Sequence, residues 1–290
     1  MSGTKLIVGC GYLGRQAARR WIRAGHAVVG VVRHAEHAKQ LRRLGVRPML
    51  ADVTRPATLA DLPSAETILY CVGLDPQSNR SRRALYVDGL RNVLRTVGES
   101  TRRIICTSST GVYGQTDGGW VDEDSPCGPT REAGRVFLEA EQLLSGHALG
   151  PRAIILRLAG LYGPGRVPRK ADVRAGKPIV APQRGYLNLI HVDDAASVVL
   201  AVETRATPPR TYCVADGHPV ERRAYFGGLA KRLGAMRPQF VEPLSEAPAA
   251  IRAAADKRVS NTRMMAELGV ILQYPSIDDF WKNAPDEDFD

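Results

Sequence analysis

Leu6-Ile7-Val8-Gly9-Cys10-Gly11-Tyr12-Leu13-Gly14 decides the fold. Leu6-Ile7-Val8 is short, apolar and β-branched in part, as in a buried strand. From Arg15 onward, Ala17, Ala18, Trp21 and Ile22 recur at helical spacing. The three glycines therefore fall in a strand-to-helix turn, the context that gives a G-x-G-x-x-G pattern physical meaning. Gly9 permits the tight turn, Gly11 lets a pyrophosphate approach the backbone, and Gly14 lets helix and strand pack closely. The positive end of the helix then faces the phosphates.

Outward from this turn, apolar runs alternate with helical patterns. Ala27–Val32 reads as a second strand, Glu36–Leu44 as a helix stopped by Gly45, and Arg47–Leu50 as a third strand. Thr67–Val72 follows, then an amphipathic helix over Arg82–Val97, a strand at Arg103–Thr107, a helix over Glu132–Leu144 and a strand at Ala153–Leu158. A helix over 194–203 with Asp193 or Asp194 as its cap, a strand at Thr211–Val214, helices near 221–233 and 261–268 and a polar tail complete the chain. Such alternation predicts an α/β fold: a doubly wound parallel sheet with helices on both faces. Ligands of these sheets bind beyond the carboxyl ends of the strands.

Two strand ends carry further information. Arg33, with His34, follows the second strand, where an acid bonds a ribose 2′-hydroxyl and an arginine accommodates a 2′-phosphate. This favours NADP, with NAD as the alternative. Asp52, after the third strand, is placed either to bond an adenine amino group or to form an Asx turn ahead of Thr54-Arg55-Pro56.

Composition bounds the rest. The 290 residues are 44% apolar and 24% charged, values of a globular protein. No run approaches the roughly 20 apolar residues of a membrane span, and the three apolar residues after Lys5 are too few for an export signal. We expect a cytoplasmic protein. Cys10, Cys71, Cys106, Cys127 and Cys213 are scattered, form no C-x-x-C and read as reduced thiols, so no metal site is expected. The net charge of +10 raises nucleic acid as a partner, but the densest basic group, Arg80, Arg82 and Arg83, lacks flanking aromatics for base stacking. A positive field also attracts anionic cofactors and substrates.

Five signatures stand in order: the glycine turn, Ser109 with Val112-Tyr113-Gly114, Arg157 with Tyr162-Gly163-Pro164, Asn188 with His191-Val192-Asp193-Asp194, and Val214-Ala215-Asp216-Gly217-His218-Pro219-Val220. Together they resemble the extended short-chain dehydrogenase/reductase superfamily, in its NAD(P)-dependent epimerase/dehydratase group. The resemblance implies a Rossmann domain over 1–165, completed by 186–215, and a smaller substrate lobe made of 166–185 and 216–290. It implies a cofactor lying along Gly9, Gly11, Tyr12, Leu13, Gly14, Arg33, His34, Asp52, Val53, Cys71, Val72, Gly73, Ser108 and Leu158. Gly160, Tyr162 and Asn188 fall on its substrate side. The substrate would be a small molecule such as a nucleotide-sugar, and the protein a monomer or homodimer.

The family's catalytic Ser/Thr maps to Ser109. Its Tyr-x-x-x-Lys maps to Ala133 and Phe137, and no other Tyr-x-x-x-Lys occurs. Tyrosine is the proton donor or acceptor that accompanies hydride movement and lysine lowers its pKa; alanine and phenylalanine do neither. The chain thus resembles atypical members that keep the fold and lose the dyad. Four residues are the catalytic candidates left: Ser109, Glu132 (raised in pKa if partly buried behind the acidic loop), Tyr113 and His191. Arg131 and Arg135 offer positive charge. Two readings remain: an enzyme with a non-standard acid/base, or a binding protein that senses NADP(H) or a nucleotide-sugar.

Overall fold

A computed structural model describes residues 3–75, 77–98, 100–243 and 255–289. Seven strands form one sheet: β1 Lys5–Val8, β2 Val28–Val32, β3 Arg47–Leu50, β4 Thr67–Tyr70, β5 Arg103–Ser109, β6 Ala153–Leu158 and β7 Arg210–Val214. Their order is β3-β2-β1-β4-β5-β6-β7 and every pairing is parallel. The order reverses between β1 and β4, which opens the crevice where such sheets take their ligands.

Parallel strands covered on both faces must be apolar throughout, and β1, β2, β4 and β6 are buried at every residue. β3 is the edge. It is half-exposed and holds Pro48, whose missing N–H costs an edge strand little. Side chains alternate between the faces with period two. Ile7, Leu69 and Ile105 join helices α1 (Tyr12–Arg23), α2 (Ala35–Arg43) and α5 (Val192–Arg205). Leu6, Ile68 and Ile104 join α3 (Gly89–Thr96) and α4 (Glu132–Ser145) on the opposite face. Small residues, Ala17 and Ala18 against Ala195 and Ala196, let α1 and α5 pack side by side.

A third apolar cluster gathers Tyr162, Tyr225, Phe226, Phe280 and Trp281 from the chain after β6. Part of it comes from a helix at Ile277–Asn283, within the stretch expected to be a polar tail. Its start is marked by Ser276-x-x-Asp279, in which Ser276 Oγ accepts from Asp279 N–H at 3.2 Å.

Three more details differ from expectation. The helix predicted over 82–97 begins as a π-turn, Ala84–Asp88, before α3. There the Tyr70 hydroxyl donates to the Leu85 carbonyl at 2.5 Å, satisfying an acceptor that the widened turn frees. α5 starts at Val192 and is capped by His191, whose Nδ1 accepts from Asp193 N–H at 3.2 Å. The Asp194 carboxylate instead accepts from Gln273 and Tyr274 N–H, at 2.7 and 2.9 Å. The acidic loop ahead of α4 contains a short strand, Trp120–Val121, which pairs in parallel with Arg258–Val259.

Candidate active site

Two clefts open at the carboxyl ends of the strands. The first, about 310 Å³, lies over β1, β2 and β4 and is lined by Gly9, Gly11, Tyr12, Arg33, His34, Val53, Val72 and Gly73 of the expected residues. The glycines divide their work as the turn requires. Gly9 has φ +91°, and a Cβ there would stand 2.5 Å from the Val72 backbone. A Cβ on Gly14 would meet Ile7 and the Gly9 carbonyl at 3.0 Å. A Cβ on Gly11 would find only the Gly9 oxygen, at 3.9 Å, so its open side is cleft. Gly11 caps α1 with no side chain of its own, leaving the helix N-terminus to face an anion. The residues present therefore fit a dinucleotide.

Cationic groups border this cleft on two sides. Arg33 sits 3.5 Å from Asp75. Arg166 comes from the Gly163–Arg166 turn, and its guanidinium lies 5.5 Å from the Tyr12 ring centre, while the Tyr12 hydroxyl donates to the Pro164 carbonyl at 3.2 Å. Asp75 and Arg166 were not singled out from the sequence, because they enter through loop geometry.

Other expected cofactor residues lie elsewhere. The Asp52 carboxylate accepts from Thr54 N–H at 3.0 Å and pairs with Arg80 at 2.5 Å, which holds its pKa down at about 2. It forms the Asx turn ahead of Thr54-Arg55-Pro56. Leu13 and Gly14 pack inward. Cys71 Sγ donates to the Gly9 carbonyl at 3.3 Å, under the turn. Ser108 Oγ donates to Glu141 at 2.5 Å, on the side away from the clefts, and Leu158 lines the second cleft.

That second cleft, about 470 Å³, lies over β5 and β6 and includes Ser109, Gly160 and Asn188. Arg131, Arg169, Arg222 and Lys257 also line it, and among the described residues no carboxylate does. Ser109 Oγ accepts from Gly111 N–H at 3.0 Å, which fixes the side chain at the strand end. Asn188 does not offer its amide to the cleft: Nδ2 donates to the Lys257 carbonyl at 2.9 Å and Oδ1 accepts from Val259 N–H at 2.7 Å.

Three acid/base candidates are not placed for the work. Glu132 is 59% exposed and pairs with Arg82 in solvent at 3.2 Å, not behind the acidic loop. Tyr113 is buried; its hydroxyl lies 3.1 Å from Cys213 Sγ and accepts from Arg157 at 2.8 Å. His191 is 1% exposed among Tyr162, Tyr274 and Phe280, and burial lowers its pKa to about 4, so the ring is neutral at pH 7. Tyr162 is likewise sealed in the third cluster and reaches toward the Ser276 carbonyl, out of reach of the second cleft. Phe137, which the resemblance aligns with the family's lysine, stacks on Tyr86 with ring centres 4.5 Å apart.

Below the clefts, Arg157 and Glu141 form a buried ion pair at 2.8 Å, joined by Ser108 and Tyr113. Asp216 is a second buried acid. Oδ1 accepts from His218 N–H at 2.9 Å, and Oδ2 has no partner among the described residues. Burial, with Asp194 nearby, pushes its pKa to about 8 against the pull of that N–H. A folded pKa above the unfolded value means stability that is full below about pH 4 and is lost as pH rises through 8. Asp216→Asn, which keeps the shape without the charge, is expected to stabilise the protein by at least roughly 1 kcal/mol at pH 8 and by little at pH 4. Thermal unfolding at the two pH values checks this.

The chain belongs to the NAD dependent epimerase/dehydratase family, whose model matches residues 6–215. Among curated proteins it is similar to Protein YeeZ of Escherichia coli K12, 29% identical over 93% of this chain and 95% of that one. It is also similar to a Stigmatella aurantiaca protein named as a 4-hydroxy-2-methyl-3-oxo-4-farnesyl-3,4-dihydroquinoline-1-oxide ketoreductase, 25% identical over 78% of this chain and 72% of that one. Among solved structures it resembles a Methylobacillus flagellatus protein described as a candidate NAD-dependent epimerase/dehydratase: 34% identical, TM-score 0.75, with 95% of each chain covered.

Proposed function

We propose that the protein is an NADP-preferring oxidoreductase acting on a small anionic ketone or the corresponding alcohol, such as a nucleotide-sugar, through a non-standard acid/base. The observation that carries this reading is the second cleft. It holds Ser109 at a strand end adjacent to those of the first cleft, with four cationic side chains and no described carboxylate. When bound, the nicotinamide would give or take a hydride. The glycine turn and the α1 N-terminus would hold the phosphates, and Arg33 the 2′-phosphate. Ser109 would hydrogen-bond the substrate oxygen and orient its carbon, and the arginines would bind the substrate's anionic part. The ketoreductase named among the relatives supports reduction of a ketone as the direction. In this reading residues 166–185 and 216–290 act as the substrate lobe.

A second reading, a sensor of NADP(H) without turnover, is favoured by Ala133 and Phe137, since a positioned acid or base is worth roughly 10²–10⁴-fold. Single-turnover oxidation of bound NADPH with phenylglyoxylate and with a UDP-ketosugar separates the two: hydride transfer is expected for the enzyme, and binding without transfer would identify the sensor. The cofactor preference has its own test. Arg33→Ala is expected to weaken NADPH by roughly 1.5–3 kcal/mol, the worth of a hydrogen bond to a charged group, and to leave NADH unchanged. Equal NADPH and NADH affinities in the wild type would overturn the preference.

A further inference from the structure

The loss of Tyr-x-x-x-Lys leaves the second cleft without the family's proton donor, and the first replacement to look for is any other titratable group that lines it. Lys257 is such a group. It is contributed by the far end of the chain, 148 positions beyond Ser109 by residue number, yet both line one cleft. The backbone around it is held from several directions. Trp120–Val121 pairs with Arg258–Val259, Gly118 N–H donates to the Asp256 carbonyl at 3.0 Å, and Asn188 bonds both the Lys257 carbonyl and Val259 N–H. Arg222 donates to the Ala255 carbonyl at 2.8 Å. Nζ itself is tethered by one hydrogen bond, to the Tyr113 carbonyl at 2.9 Å, and among the described residues makes no other. An ammonium has three donors, so two remain for a ligand.

We propose that Lys257 is the catalytic proton donor to the substrate oxygen, standing in from the C-terminal segment for the absent tyrosine. The proposal rests on the oxidoreductase reading above. In the reductive direction the ketone carbon accepts the hydride of the reduced nicotinamide, and the C=O π pair moves onto oxygen. That oxygen takes a proton from Nζ, leaving an alcohol, a neutral amine and the oxidised nicotinamide. Solvent then returns a proton to the amine. In the oxidative direction the neutral amine is the base.

The surroundings suit this work. Lys257 is 7% exposed, and burial, with the Arg131 guanidinium near it, lowers its pKa to about 8. Arg169 and Arg222 face the same cleft, while Asp256 turns its carboxylate to Tyr186 N–H and Arg258 lies over the Trp120 and Tyr186 rings. No neighbouring carboxylate lines the cleft among the described residues to hold the ammonium fully charged. An acid with a pKa close to the working pH gives up and regains its proton readily.

Competitive labelling of the wild-type protein with trace acetic anhydride, read by peptide mass spectrometry from pH 6 to 11, tests the group directly. Lys257 is expected to reach half-reactivity near pH 8, and a midpoint near the roughly 10.4 of a free lysine overturns the proposal. Kinetics on phenylglyoxylate and a UDP-ketosugar form the second arm. Lys257→Met is expected to slow hydride transfer by roughly 10²-fold while NADPH binding is kept. Lys257→Arg, which retains the charge, should keep KM and lose kcat, and should lack the fall in rate above pH 8 that is expected of the wild type. If Lys257→Met transfers hydride as fast as the wild type, Lys257 is not the donor. If the wild type transfers hydride to neither ketone, the oxidoreductase reading falls, and this step with it.

Discussion

Gly11→Val is expected to abolish NADP(H) binding and leave the fold and melting temperature close to wild type. The expectation follows from what surrounds the position. A Cβ there meets only the Gly9 carbonyl, at an ordinary 3.9 Å, so the added side chain has room and points into the space a pyrophosphate needs. Gly11 precedes α1 at φ −91°, outside the left-handed region that Gly9 occupies. Gly9→Val makes the contrast. At φ +91° and 2.5 Å from the Val72 backbone, a side chain forces the β1–α1 turn apart, and loss of folded protein is expected. Cofactor titration, with circular dichroism as the fold control, checks both. Undiminished binding by a folded Gly11→Val would mean that the turn serves packing alone.

The second large effect is on stability. Arg157→Met is expected to cost roughly 3–5 kcal/mol, because it strands the Glu141 carboxylate in the interior. Glu141 is 5% exposed and, besides the arginine, has only the Ser108 hydroxyl as a described side-chain partner. Nearby, Tyr113 would lose the donor to its hydroxyl. Adding Glu141→Leu should recover much of the loss, since it removes the unpaired charge. Denaturant unfolding of both variants measures this. A loss below about 1 kcal/mol for Arg157→Met would mean the pair is solvated, contrary to its burial.

How far the site can be read from the sequence depends on the range of the interactions that make it. The glycine turn is local: a φ of +91° at Gly9, an open face at Gly11 and tight packing at Gly14 are demands of one strand–helix corner, and they are written in nine consecutive residues. The sheet is legible for the same reason, since a strand covered on both faces must be apolar throughout. Ser109 and Arg33 follow from strand ends. Burial set by distant packing is a different matter. His191 and Tyr162 stand at strand ends like Ser109, but the Ile277–Asn283 helix, hidden in a polar stretch, brings Phe280 over both rings. Glu132 sits next to the vacated tyrosine position in sequence, yet it points to Arg82 and solvent. Lys257 carries no local signal. It reaches the cleft because a two-residue pairing joins 120–121 to 258–259, and no periodicity marks so short a strand. Ala133 and Phe137 are legible as departures from Tyr-x-x-x-Lys, but the Phe137–Tyr86 stack depends on the π-turn at Ala84–Asp88.

The cleft above Gly9, Gly11 and Arg33 is expected to bind the cofactor. Its most direct test is a fluorescence titration of the wild-type protein with NADPH at physiological salt. Saturable binding at one site per chain, tighter than NADH and absent in Gly11→Val, is the expected result; failure of the wild type to saturate at millimolar NADPH and NADH alike would mean that the cleft takes no dinucleotide.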